Sequence, residues 1–86
     1  MVSQNVLITN SSGLHARPAS QFVKYIKQFK SRVLLVTKDA EVDCGSIINL
    51  LTLAIKPGTT VEIKVIGEDE QDALAKIVEF LKNLKE

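Results

Sequence analysis

His15 is the single imidazole of the chain, and Arg17 follows two residues later at the start of an apolar-periodic run. A helix N-terminus presents free N–H groups and a partial positive charge, which suit a phosphate. Arg17 adds a rigid fork of donors. An imidazole with a pKa near ~6.5 is largely neutral at pH 7, so a ring nitrogen is available as a nucleophile. A phosphoryl group on that ring would be stabilised by the helix end and the guanidinium, and it would stay accessible for transfer. The same residues also suit a plain loop or capping histidine, and on residue types alone both readings stand. Other chemistries have less material. A Ser/His/Asp set needs His15, and no acid lies within twenty residues of it. One Cys and one His exclude a four-ligand Cys/His zinc site, so no metal and no cofactor is expected. The four glycines stand singly and make no phosphate loop. Cys44 has no activating neighbour in sequence and reads as structural.

The elements around His15 follow from periodicity. Ala16 to Phe29 reads as a helix. Stepping about 100° per residue from Arg17, Ala19, Phe22, Val23, Ile26 and Phe29 gather opposite it as a core stripe. Arg17, Gln21, Lys24 and Gln28 share the other face, with Lys27 on its flank. Pro18 falls in the first turn, where its missing N–H costs nothing. Val2 to Ile8 alternates as a first strand, Asn10-Ser11-Ser12-Gly13 is a loop, and Val33 to Val36 is a second strand. Lys38-Asp39 is a turn, and Ala40 to Asp43 a short strand at an edge. Ser46 caps a brief helix from Ile47 to Leu53. Lys56-Pro57-Gly58-Thr59 is a turn with type II chemistry, and Val61 to Ile66 a fourth strand. Asp69 caps a last helix whose apolar stripe is Leu74, Ile77, Val78, Leu81 and Leu84. The order β-α-β-β-α-β-α implies an α+β fold, an open-faced β-sandwich with a four-stranded antiparallel sheet and three helices on one face.

In the brief helix, Ile47, Ile48, Leu50, Leu51, Leu53 and Ala54 span an arc of roughly 220°, where a core-facing stripe needs little more than ~100°. Ile47, Ile48 and Leu51 lie toward one edge of that arc and form a candidate contact patch. With the outward face of Arg17, Lys24 and Lys27, this gives an apolar patch beside a basic one, suited to acidic partner surfaces.

Eighty-six residues, 45% hydrophobic and 24% charged, make residues 1–86 one globular domain with a thin core. The longest apolar stretch is far short of the ~20 residues of a membrane helix, and the first residues carry no signal-peptide pattern. The net charge of +1 conceals an asymmetry. Residues 1–38 hold six cations and no acid, whereas residues 39–86 hold five lysines and all ten acids. The basic half suits a phosphate, a nucleic acid or an acidic protein, or the halves simply neutralise each other.

Gly13-Leu14-His15-Ala16-Arg17-Pro18-Ala19 resembles the phosphohistidine signature of the HPr family, the histidine-containing phosphocarriers of the bacterial phosphoenolpyruvate:sugar phosphotransferase system. Ile8-Thr9-Asn10, Gln21-Phe22-Val23-Lys24, Ser46, Gly58-Thr59 and Gly67-Glu68-Asp69-Glu70 are similar to the family at their usual places, so the resemblance covers the whole chain. It implies that His15 takes a phosphoryl group, at its δ nitrogen, from phosphorylated enzyme I and passes it to the IIA domain of a sugar permease. Arg17 is then the phosphate-side partner. Ser46 resembles the serine that a dedicated kinase phosphorylates in many Gram-positive bacteria, with a catabolite regulator as a further partner. Cys44-Gly45 precedes it here, where Ala-Lys is frequent. The implied protein is a cytoplasmic, monomeric carrier without turnover of its own, and it neither inserts in a membrane nor binds nucleic acid. Three alternatives remain at this point: a regulatory paralogue without transfer, against which His15 argues; a nitrogen-related paralogue; and a small nucleic-acid-binding domain. The last finds few aromatics to support it, with one Tyr, three Phe and no Trp.

Overall fold

The computed structural model describes residues 1–9, 13–14, 16–38 and 40–84. His15, most of the Asn10–Gly13 loop and Asp39 of the expected Lys38-Asp39 turn lie outside the described residues. The elements are β1 (Val2–Leu7), α1 (Ala16–Ile26), β2 (Arg32–Val36), β3 (Glu41–Asp43), α2 (Ile47–Thr52), β4 (Thr60–Ile66) and α3 (Glu70–Lys82). The strands form one antiparallel sheet in the order β1-β4-β2-β3, so β4, the last strand in sequence, runs between the first two. Val65 pairs with Val2 on one side and Val33 on the other, and Ile63 with Gln4 and Leu35.

That register puts Val6, Val33, Leu35, Val61, Ile63 and Val65 on one buried face. Strand side chains alternate, and the other face carries exposed Arg32 and the half-buried Asp43, Glu62 and Lys64, with Leu34 buried among them. The helices cover the apolar face. α3 packs over β1 and β4, α1 against α2 and α3, and α2 against β3. Ala19, Phe22, Val23 and Ile26 of α1 meet Ala73, Ile77, Val78 and Leu81 of α3 in the core. The open-faced four-stranded α+β architecture expected from the sequence is the one observed, with β3 at an edge.

Three local expectations are corrected. The first helix stops at Ile26 and not Phe29. Gln28 and Phe29 donate to carbonyls only three residues back, at 3.5 and 3.1 Å, so the chain tightens and leaves the α-helix early. Phe29 still packs on the core, edge-on to Tyr25. In α3, Leu74 and Leu84 are half-buried, and Ala73 takes the core position instead. Asp69 precedes α3, yet its side chain does not cap it. Its carboxylate accepts from the Lys30 N–H at 3.0 Å and from the Ser31 hydroxyl, tying the α1–β2 turn to the start of α3. These bonds, Ser31's first, hold its carboxyl below the usual range. A side chain at Gly67 would come within 2.6 Å of Ser31, so only glycine lets the two turns approach.

α2 ends with Leu53 and Ala54 donating to Leu50 and Leu51 at 3.2 Å, and Ala54 adopts φ +50°, the left-handed conformation usually taken by glycine. An L-residue pays about 1–2 kcal/mol there, and glycine's extra freedom in the unfolded chain returns part of it. Ala54→Gly is therefore expected to raise the unfolding free energy by about 0.5–1 kcal/mol. Urea titration checks this, and an unchanged midpoint would show that the position is unstrained.

Candidate functional site

α1 begins at Ala16, directly after His15 in sequence. The segment leading there is firmly seated. Leu14 is fully buried, and its N–H donates to the Ile55 carbonyl at 3.0 Å. Gly13 has φ +65°, and a Cβ on it would collide with that same carbonyl oxygen. On the other side, Pro18 and Ala19 are buried in the first turn of α1. Leu14 and Pro18 thus bracket His15 with two anchored positions. The sequence reading did not assign these seats; a glycine followed by a lone leucine between polar residues is the signal that was available.

Arg17 is exposed in the first turn of α1, and no acidic residue lies in that turn. Arg17, Gln21 and Lys24 follow one exposed face at helical spacing, because the opposite face is sealed in the core. Lys27, also exposed, comes one residue after the helix ends. α2 packs beside α1. There Ile48 is 69% exposed and Leu51 39%, whereas Leu50 is fully buried. Ile47 is half-buried and packs against the core, so it belongs less to the exposed patch than the sequence arc suggested. The fold brings the Arg17/Lys24 face and the Ile48/Leu51 patch onto adjacent helices.

Ser46 is the N-cap of α2, in extended conformation, and its Oγ accepts from the Asn49 N–H at 3.4 Å. The turn that delivers it is organised by Asp43, whose carboxylate accepts from the Gly45 N–H at 2.8 Å and from Arg32 at 3.1 Å. The Gly45 bond is the main reason that the Asp43 carboxyl lies below its usual range.

A groove of about 870 Å³ lies along the flank of α1 against α3, over the stacked Tyr25 and Phe80 rings (4.4 Å). It includes neither Arg17 nor Ser46. Among the described residues no cluster of His, Cys, Asp or Glu could hold a metal ion, and no helix is long and apolar enough to cross a membrane. Cys44 is fully buried beneath the start of α2, and burial, with the Asp43 charge beside it, pushes its thiol up to about 12. A thiol so protonated is a packing group and not a nucleophile. Above pH ~9 the unfolded chain ionises this thiol while the folded one keeps its proton, so this group's contribution to stability falls as pH rises. Cys44 is expected to stay unreactive toward a thiol reagent at pH 8 in buffer and to react stoichiometrically in denaturing urea. Rapid labelling of the folded protein would contradict the burial.

Comparison with known proteins gives a consistent result. A family model described as "PTS HPr component phosphorylation site" matches residues 2–83. The chain is 40% identical over 85 residues to phosphocarrier protein HPr of Haemophilus influenzae, covering 99% of this chain and 100% of that one. It is 41% identical over 81 residues to the HPr-like protein Crh of Bacillus subtilis, covering 94% and 95% of the two. The crystal structure of an HPr from Thermoanaerobacter tengcongensis superimposes with a TM-score of 0.85 at 29% identity, over the full length of both chains.

Proposed function

The chain belongs to the HPr family of phosphotransferase-system phosphocarriers, and from that premise we propose that it takes a phosphoryl group from phosphorylated enzyme I onto His15 and donates it to the IIA domain of a sugar permease. Proteins of this family are carriers in a relay and do not turn over substrate alone. The observation that supports the assignment most is the Gly13–Ala19 signature at the mouth of α1, with Arg17 exposed beside it. A neutral ring nitrogen of His15 attacks the phosphorus of the donor's phosphohistidine. The donor's N–P bond breaks as the new one forms, and no water enters. The Arg17 guanidinium offsets charge on the transferring oxygens, as an oriented donor does in other transition states. An acceptor open to solvent would suit a carrier, because each partner supplies the rest of the enclosing site in turn.

Lys24, Lys27, Ile48 and Leu51, with Ile47 at their margin, serve in this reading as the docking surface for enzyme I and the IIA domain. Regulation would act at the same surface. A phosphate on Ser46 adds about −2 charge next to Ile47 and Ile48, facing an acidic partner. A serine kinase and a catabolite regulator are the partners such a modification requires. We place the protein in the cytoplasm, as one functional unit over residues 1–86, with no cofactor and no nucleic-acid ligand. The likeness to Crh favours a second reading, a regulatory paralogue; the presence of His15 weighs for transfer.

Incubation with phosphoenolpyruvate and enzyme I tests the assignment. The wild type should gain acid-labile, base-stable phosphate, and His15→Ala none; labelling of that variant would sink the role of His15. Arg17→Ala should slow transfer on the order of 10²-fold at saturating enzyme I. Ile48→Asp and Ser46→Asp should each raise the KM of enzyme I for this protein with little change in melting temperature. Transfer kinetics that match wild type in both would remove the docking surface from α2.

A further inference from the structure

β1 forms one edge of the sheet, at the far side from β3. Its residues, Val2 to Leu7, include no Lys, Arg, Asp, Glu or Pro, the residues that ordinarily blunt an edge against pairing. Just beyond it, Ile8 donates to Thr59 at 2.9 Å and accepts from Gly58 at 2.7 Å, so both of its backbone groups turn toward the β4 side. By the two-residue period of a strand, Val2, Gln4 and Val6 do the same, and Ser3, Asn5 and Leu7 offer their N–H and C=O groups to the open edge.

We propose that this edge pairs with β1 of a second copy of the chain, antiparallel about a two-fold axis through Gln4. One register matches both faces of the strand. With Gln4 opposite its own counterpart, Val2 meets Val6 on the helix-covered face, Ser3 meets Asn5 on the open face, and Met1 meets Leu7. Moving the axis to Ser3 opposes Val2 with Gln4 and Met1 with Asn5. Moving it to Asn5 opposes Gln4 with Val6 and Ser3 with Leu7. The matched register also covers Met1 and Leu7, which are 67% and 50% exposed in the isolated chain, with each other.

The helix layer fits the same axis. Gln4 borders a shallow groove of about 300 Å³ with Ala75, Val78, Glu79, Lys82 and Asn83 of α3. Strands lie about 4.8 Å apart, so a helix over the β1–β4 pair sits about 5 Å from the seam. The two copies of α3 would run antiparallel about 10 Å apart, the spacing at which helices pack. Glu79 and Lys82 are exposed and make no ion pair within the described chain, and the two-fold axis sets each toward the opposite charge of the other copy. The product is an eight-stranded sheet with all its helices on one face. α2, packed at the β3 side, is left uncovered. The seam is short, which makes the association reversible and concentration-dependent. The monomer expected from the sequence is then the dilute form.

Sedimentation of the full chain over increasing concentration is the first test. A progressive shift from monomer to dimer by about 1 mM is expected, and a monomer throughout overturns the proposal. Position is tested by charge. Gln4→Lys and Gln4→Glu each set like charges directly opposite across the seam, so each alone should be monomeric. A one-to-one mixture of the two should recover the dimer. Thr52→Lys adds the same charge at an exposed position of α2, on the β3 side and away from the seam, and should leave dimerisation intact. Gln4 is exposed, and circular dichroism checks that each variant is folded. If the single Gln4 variants dimerise as wild type does, or if the mixture stays monomeric, residue 4 does not face itself. That result would mean an exchanged β1, or another surface, joins the copies. Gln4→Cys gives an independent arm: a cross-link between the two copies on oxidation is expected, with buried Cys44 taking no part, and its absence counts against the register.

Discussion

One face of the sheet is a nearly continuous apolar layer, and most of the architecture depends on this. β4 carries the constraint, with Val61, Ile63 and Val65 all but inaccessible to solvent and hydrogen-bonded strands on both sides. A one-residue slip of β4 would turn Glu62 and Lys64 into the core and these three residues out. Every helix must therefore lie on the same side. In an 86-residue chain the three helices have no second layer to pack against, so each is left with an outer face in water.

For α1 that division decides the chemistry available. Phe22, Val23 and Ile26 lock the helix rotation, and Arg17 and Lys24 then have nowhere to go but outward. The helix mouth is held by a separate device. Leu14 is buried, Gly13 passes close under the Ile55 carbonyl, and Ala54 takes a left-handed conformation just before Ile55. The end of α2 thus supports the segment that precedes α1. In the proposed carrier, this rigidity is placed in the residues on either side of the acceptor, and the surface around it stays open to partners.

α2 is short, six residues, and rests on a single fully buried side chain, Leu50. Its apolar content exceeds what the core takes up, which leaves Ile48 and Leu51 in solvent next to the cationic face of α1. The opposite edge of the molecule is different in kind. β1 has an uncharged, self-matching strand, and its unsatisfied groups are in the backbone and not in the side chains. The two surfaces lie at different ends of the sheet order, so each is free to be used without the other.

The sequence alone determined the element order, because alternation in Val61–Ile66 and the helical stripes of α1 and α3 are short-range signals written into adjacent residues. It also marked His15, Arg17 and Ser46, through a contiguous signature and a capping position, and the core face of α1 that turns Arg17 and Lys24 outward. Tertiary structure decided what depends on residues far apart in the chain. The placement of β4 between β1 and β2 is one such feature, and the seat of Leu14 on Ile55 is another. Asp69 shows the difference most directly. Read locally it is a helix cap, but Lys30 and Ser31, nearly forty residues away, offer its carboxylate better donors and take it from the helix. Likewise Ile47 and Ile48 are equivalent in composition and adjacent in sequence, and only the packing of α2 against its neighbours buries one by half and leaves the other exposed. Periodicity fixes which residues share a face, but the depth at which a face is buried is set by partners that periodicity does not name.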